Sequence, residues 1–173
     1  MLKTLRQIGR VGIVTEAPPP CDDSLRLRAE LQANILEIMG RALCIRAVDA
    51  GSCNGCELEI HALNNPIYNI EGLGIRFVAS PRHADLLLVT GPVSAHMQAA
   101  LRRTYQATPD PKLVVAIGDC GCTGGIFGES GASLGRVANV IPVDVAVSGC
   151  PPSPTRILSA ILTAITVAAP RVP

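Results

Sequence analysis

The stretch Leu43-Cys44-Ile45-Arg46-Ala47-Val48-Asp49-Ala50-Gly51-Ser52-Cys53-Asn54-Gly55-Cys56 reads as a short apolar strand, 43–48, running into a loop with glycine and a Cys-x-x-Cys pair. The same junction occurs twice more. Residues 113–117 run into Gly118-Asp119-Cys120-Gly121-Cys122, and residues 143–147 run into Ser148-Gly149-Cys150-Pro151-Pro152. Two further apolar runs, 75–79 and 85–90, read as strands, and helical patterns occupy 55–64, 94–106 and 154–167. Upstream, Asp22-Asp23-Ser24 can cap a helix carrying Leu27, Leu31, Ile35 and Ile38, which Gly40 would stop. Strands alternating with helices predict an α/β domain with a largely parallel sheet.

In open α/β sheets the loops at the carboxyl ends of the strands gather at one edge, and ligands bind there. Cys53, Cys56, Cys120 and Cys150, distant in the chain, are therefore expected to meet in space. Asn54 with Glu57 reads as a capping box, which puts Cys56 in the first turn of a helix. Ser153-Pro154 reads as a second helix start, just after Cys150. Helix N-termini stabilise thiolate through free N–H groups and partial positive charge. Gly118, Gly121, Gly124 and Gly125 allow the backbone to approach sulfur closely, and Pro151 and Pro152 stiffen the third loop. Cys122 competes with Cys120 for the fourth ligand position. Cys44 reads as a core residue of its strand and Cys21 as a free thiol.

Composition narrows the chemistry. The 173 residues are 48% hydrophobic with a net charge of +1, which excludes a disordered tail and offers no electrostatic case for nucleic acid. Tyr68, Phe77, Tyr105 and Phe127 are the sole aromatic residues, so base-stacking platforms are absent too. Seven cysteines is an odd number, and no apolar run follows the basic residues 1–10. A secreted disulfide framework fits this poorly, whereas clustered metal ligands fit it well. Residues 157–169, the most apolar stretch, are shorter than the ~20 a membrane span needs and read as a buried helix. Residues 1–20 read as an arm: Leu2, Leu5 and Ile8 share one side, Lys3, Arg6 and Arg10 add positive charge, and Ala17-Pro18-Pro19-Pro20 forms a linker. Such an arm can lie on anionic lipid or dock on a partner. Residues 21–173 then form a single domain.

A thioredoxin-type site would use two cysteines and leave Cys120 and Cys150 unexplained. Structural zinc also takes four, but usually as two close pairs on a small fold that the metal holds together. One pair and two distant singles on a domain with its own core favour an iron–sulfur cluster. No phosphate-binding loop is present, and Gly72-x-Gly74 is not completed to a dinucleotide fingerprint. Glu57 and His61, four apart on one helix, read as a surface pair or, less simply, a proton relay. Arg82 and His83 read as surface residues that can line an interface.

With those residues placed, GSCNGCELEI, GIRFVASPRHADLLLVTG, GDCGCTGGIFG and SGCPPSPTRIL closely resemble the small, cluster-bearing subunit of membrane-bound nickel–iron hydrogenases of the formate hydrogenlyase type. That subunit is in turn similar to the 20 kDa subunit of respiratory complex I. The resemblance implies a flavodoxin-like fold with helices on both faces and one 4Fe-4S cluster on Cys53, Cys56, Cys120 and Cys150. It favours Cys120 over Cys122, a position that is usually not cysteine in the family. It implies a non-catalytic redox subunit, peripheral on the cytoplasmic side of the membrane. The expected partners are a hydrogenase large subunit or a complex I 49 kDa-like subunit, a ferredoxin-like cluster subunit and membrane subunits. Two residues between Cys53 and Cys56, where complex I relatives have adjacent cysteines, favour the hydrogenase side over quinone reduction.

Overall fold

The computed structural model describes residues 2–11 and 22–168; the proline-rich linker and Cys21 lie outside the described residues. In chain order the elements are α1 (Leu2–Val11), α2 (Asp22–Met39), β1 (Leu43–Asp49), α3 (Gly55–Ala62), β2 (Ile75–Phe77), β3 (Leu86–Thr90), α4 (Gln98–Ala107), β4 (Leu113–Ile117), α5 (Gly118–Thr123), β5 (Val145–Val147) and α6 (Pro154–Ala168). Short 3-10 turns occur at Ile70–Leu73, Pro81–His83 and Val137–Asn139.

All four strand pairings are parallel, in the order β2-β1-β3-β4-β5. This is the flavodoxin-like order. β3 and β4 are buried at every position, as strands covered on both faces must be. Side-chain alternation then divides the core in two. Leu43, Ile45, Leu86, Leu88, Val115 and Ile117 face α2, α3 and α6, meeting Leu31, Ile35, Ile60, Ile157 and Ile161. Val48, Leu87, Val89, Val114 and Ala116 face the other way, against Leu101 of α4 and Val93, Val137 and Ile141. Truncating a fully buried leucine such as Leu88 to alanine would cost about 2–5 kcal/mol in such a core.

Two carboxylates shape the strand starts. Asp85 accepts the Cys44 N–H at 2.9 Å, and Asp144 accepts the Val114 N–H at 2.9 Å. Both acids thus occupy ladder positions with their side chains, and β3 and β5 begin later than the apolar runs imply, at Leu86 and Val145. β2 also ends early, at Phe77, and α4 starts at Gln98 because Ser94 is held to the Ala50 carbonyl and to Met97 N–H. Gly40, at φ +60°, closes α2 as expected, its N–H donating to the Leu36 carbonyl at 3.1 Å. No helix among the described residues is long and apolar enough to cross a membrane.

The topology fixes where loops converge. From β1 the chain steps outward to β2, then returns across β1 to continue at β3. The carboxyl ends of β1 and β3 therefore flank the switch point of the sheet, and the loops after β4 and β5 rise beside it.

Candidate metal centre

The first cysteine loop is shaped by Asp49, the last residue of β1. Its Oδ1 accepts the Gly51 and Ser52 N–H groups, both at 2.8 Å, and Ser52 Oγ accepts from Asn54 N–H at 3.2 Å. The neighbouring loop presses close: a Cβ on Gly91 (φ +80°) would sit 2.5 Å from Ser52 N. Cys53 is exposed on this loop and Cys56 lies half-buried in the first turn of α3. The capping box expected at the start of α3 does not form. Asn54 adopts a left-handed conformation (φ 74°) and caps nothing with its side chain. The sharp turn between the two cysteines takes precedence over the cap, and asparagine tolerates that backbone region.

The second and third loops are tied to each other. Asp119 N–H donates to the Gly149 carbonyl at 2.9 Å, and the Gly149 N–H donates back to Asp119 Oδ1 at 2.7 Å. This double link joins the turn before Cys120 to the turn before Cys150. Cys120 lies within the short helix α5 rather than in an open loop, because Gly124 N–H donates to the Cys120 carbonyl and closes a helical turn. Glycine is required where sulfur approaches backbone. A Cβ on Gly118 (φ +83°) would fall 2.5 Å from Cys56 Sγ, and one on Gly125 (φ +55°) 2.7 Å from Cys120 Sγ.

The four thiols sense one another. Burial pushes the Cys56 thiol up to about 12; Glu57, Cys120, Cys53 and Cys150 add to the rise. Burial also raises Cys120, followed by the charges of Cys150, Cys53 and Asp119. The expectation that helix N-termini would favour thiolate is therefore not met in the chain by itself. Desolvation and mutual repulsion prevail, as they do wherever like charges share a site. Cys122 stands apart. It too is raised, first by burial, but none of the other cysteines contributes, and its sulfur lies 3.8 Å from the Ala116 carbonyl oxygen. Cys44 is buried at the start of β1 on the opposite edge.

Among the described residues, no group of three or more His, Cys, Asp or Glu side chains is drawn in around a single metal position. The thiols gather loosely, within electrostatic reach of one another.

Glu57 corrects a sequence expectation. It is not half of a surface pair with His61: both of its carboxylate oxygens are shielded from solvent and lack a hydrogen-bond partner, while His61 is exposed. The two border a cavity of about 310 Å³ with Arg46 and Phe77. Arg82 and His83 are exposed and lie at the rim of a separate cavity. Gly118, Asp49 and Asp119 emerge as positioning residues. Of these, sequence reasoning singles out Gly118 alone; an aspartate beside glycine at a strand end is the available signal for the others.

Around the cysteines, Leu58, Ile126 and Phe127 project into solvent, at 62%, 94% and 55% exposure, so apolar surface flanks the thiols. Residues 53–164 match the family model described as NADH ubiquinone oxidoreductase, 20 Kd subunit. The probable membrane-bound hydrogenase subunit mbhJ of Pyrococcus furiosus is 44% identical, over 83% of this chain and 87% of that one. Formate hydrogenlyase subunit 7 of Escherichia coli is 42% identical over 82% of this chain, which spans 54% of that relative's length. Among solved structures, a chain of the membrane-bound sulfane sulfur reductase, an archaeal respiratory membrane complex, superposes with a TM-score of 0.60. It is 30% identical, with 87% of this chain and 76% of that chain covered.

Proposed function

Because the chain belongs to the family of the NADH ubiquinone oxidoreductase 20 kDa subunit, we propose that it carries one 4Fe-4S cluster on Cys53, Cys56, Cys120 and Cys150. We place it beside the catalytic large subunit of a membrane-bound nickel–iron hydrogenase complex. The observation that carries this reading is the set of four mutually coupled thiols on three loops at the switch point of the sheet, with Cys122 outside it. Four thiolates are the donor set of a 4Fe-4S cluster, and Gly118 and Gly125 leave sulfur the room a side chain would fill. Sulfurs around one zinc ion stand within about 4 Å of each other. The looser gathering here supports the larger cluster over structural zinc.

Bound there, the cluster supplies one-electron transfer. The chain's own part is to hold the site still and partly dry. Asp119 links the Cys120 and Cys150 loops, and Asp49 fixes the turn before Cys53. Substrate chemistry then belongs to the companion subunit, which the exposed Leu58, Ile126 and Phe127 would meet. A single domain over 21–173, an arm over 1–20 that docks on the membrane part, a ferredoxin-like donor subunit and a place on the cytoplasmic side complete the proposal. The second reading gives the cluster to quinone, as in the complex I branch that lends the family its name. Identity of 44% and 42% to hydrogenase subunits supports the first.

Metal and activity of the purified membrane complex test this reading. It should contain nickel and evolve hydrogen from a low-potential one-electron donor. A complex without nickel that makes no hydrogen, and reduces quinone or sulfane sulfur instead, would refute the hydrogenase assignment while leaving the cluster untouched.

A further inference from the structure

The edge of the sheet opposite the cysteines carries a second feature that electron transfer does not use. Where β1, β3 and β4 begin, the structure opens a groove of about 660 Å³. Its floor is apolar, including Ile38, Met39, Val78 and Ile165, and its rim is basic. Two of the rim cations are already engaged. Arg41 forms a forked pair with Asp85, at 2.5 and 3.0 Å, and Lys112 is shared among Asp110, the Tyr105 and Thr108 carbonyls and the Tyr105 ring. Both acids that line the groove are thus occupied. Arg76 and Arg82 are exposed and, among the described residues, neither has a carboxylate partner.

Two uncommitted guanidinium groups over an apolar trough are complementary to a segment that offers carboxylates at its edges and aliphatic side chains along its middle. We propose that this groove docks an acidic, amphipathic segment of a further subunit, so that the chain joins two different partners at its opposite edges. The choice of a subunit as occupant rests on the reading of the chain as part of a larger complex; the groove itself does not. A bilayer surface is a poorer match, because a flat plane of headgroups cannot reach a recessed floor. Guanidinium forks bind carboxylates in two-point geometry, which fixes register as well as attraction. Like charge in their place would repel the same segment.

The experiment uses the intact membrane complex with an affinity tag on this chain. Arg76→Glu with Arg82→Glu should lower recovery of one companion subunit about tenfold or more, since juxtaposed like charges cost several kcal/mol. Arg102→Glu with Arg103→Glu, exposed on α4, should lower nothing. Iron content and the cluster's paramagnetic signal should stay unchanged in both, which separates this proposal from the cluster assignment. A photo-crosslinker placed at position 82 of the otherwise unaltered chain supplies the second reading, independent of how the reversal variant folds. It should join a segment rich in Asp and Glu in the same subunit that the reversal releases. Full recovery of every subunit from the reversal variant, or crosslinks found only in lipid, would overturn the proposal.

Discussion

Replacing Gly118 by alanine places one methyl group where the site has no room for it. The added Cβ would lie 2.5 Å from Cys56 Sγ, so the sulfur must retreat by about 1 Å or more to reach ordinary contact near 3.5–4.0 Å. The backbone is also unsuited, since φ is +83° and alanine in the left-handed region costs roughly 1–2 kcal/mol. Overpacking adds about 1–3 kcal/mol, so the apo chain should lose about 2–5 kcal/mol in denaturant unfolding. The effect on metal should be sharper, because a site holds its group only when ligands stay within about 0.5 Å of the required geometry. Iron and acid-labile sulfide per chain should fall severalfold, and the reduced paramagnetic signal should broaden or vanish. Gly131→Ala is the control: its Cβ meets nothing within 4 Å, and its effect should stay within about 0.5 kcal/mol. A Gly118→Ala chain with full iron content, an unshifted signal and control-like stability would refute the claim that Cys56 sulfur is held against this glycine.

Serine in place of Cys53, Cys56, Cys120 or Cys150 should lose or distort the cluster signal, whereas serine at Cys122 or Cys44 should preserve it; electron paramagnetic resonance across the six variants distinguishes them. Asp119→Ala removes the acceptor of the Gly149 N–H and should cost about 1–3 kcal/mol by thermal unfolding, with faster loss of iron to a chelator. For the apo chain, Cys56 is raised in the folded state to about 12 from 9.0, so the folded form keeps a proton that the unfolded form has released. Its contribution to stability is therefore intact below pH 9 and fades from about pH 9 to 12; a Cys56→Ser apo chain should lose that component of the alkaline slope in urea titrations.

The sheet was legible because its physical signals were uncomplicated. Leu113–Ile117 is a continuous apolar run between turn residues, and the strand has those bounds. Where a polar side chain replaces a backbone partner, as Asp85 and Asp144 do, hydrophobic pattern overestimates the strand, since it cannot register a carboxylate accepting a ladder N–H. The convergence of Cys53, Cys56, Cys120 and Cys150 followed from parallel topology alone. The separation of Cys122 from Cys120 did not, because both lie on one six-residue helix and the difference is rotational: one sulfur meets the other thiols, the other turns toward the Ala116 carbonyl. Asn54 misled through the same limitation. Its spacing to Glu57 satisfies a capping box, but the turn between the two cysteines needs a left-handed residue, and a spacing pattern carries no backbone angle.

Mössbauer spectroscopy of the iron-57-labelled complex, combined with iron and sulfide analysis of this chain, tests the central claim most directly. Four irons and four sulfides per chain should form one cubane with an all-thiolate signature, and replacing Cys120, but not Cys122, should remove it. A chain that holds one zinc ion and no iron, or that keeps its cluster when Cys120 is serine and loses it when Cys122 is, would contradict the account.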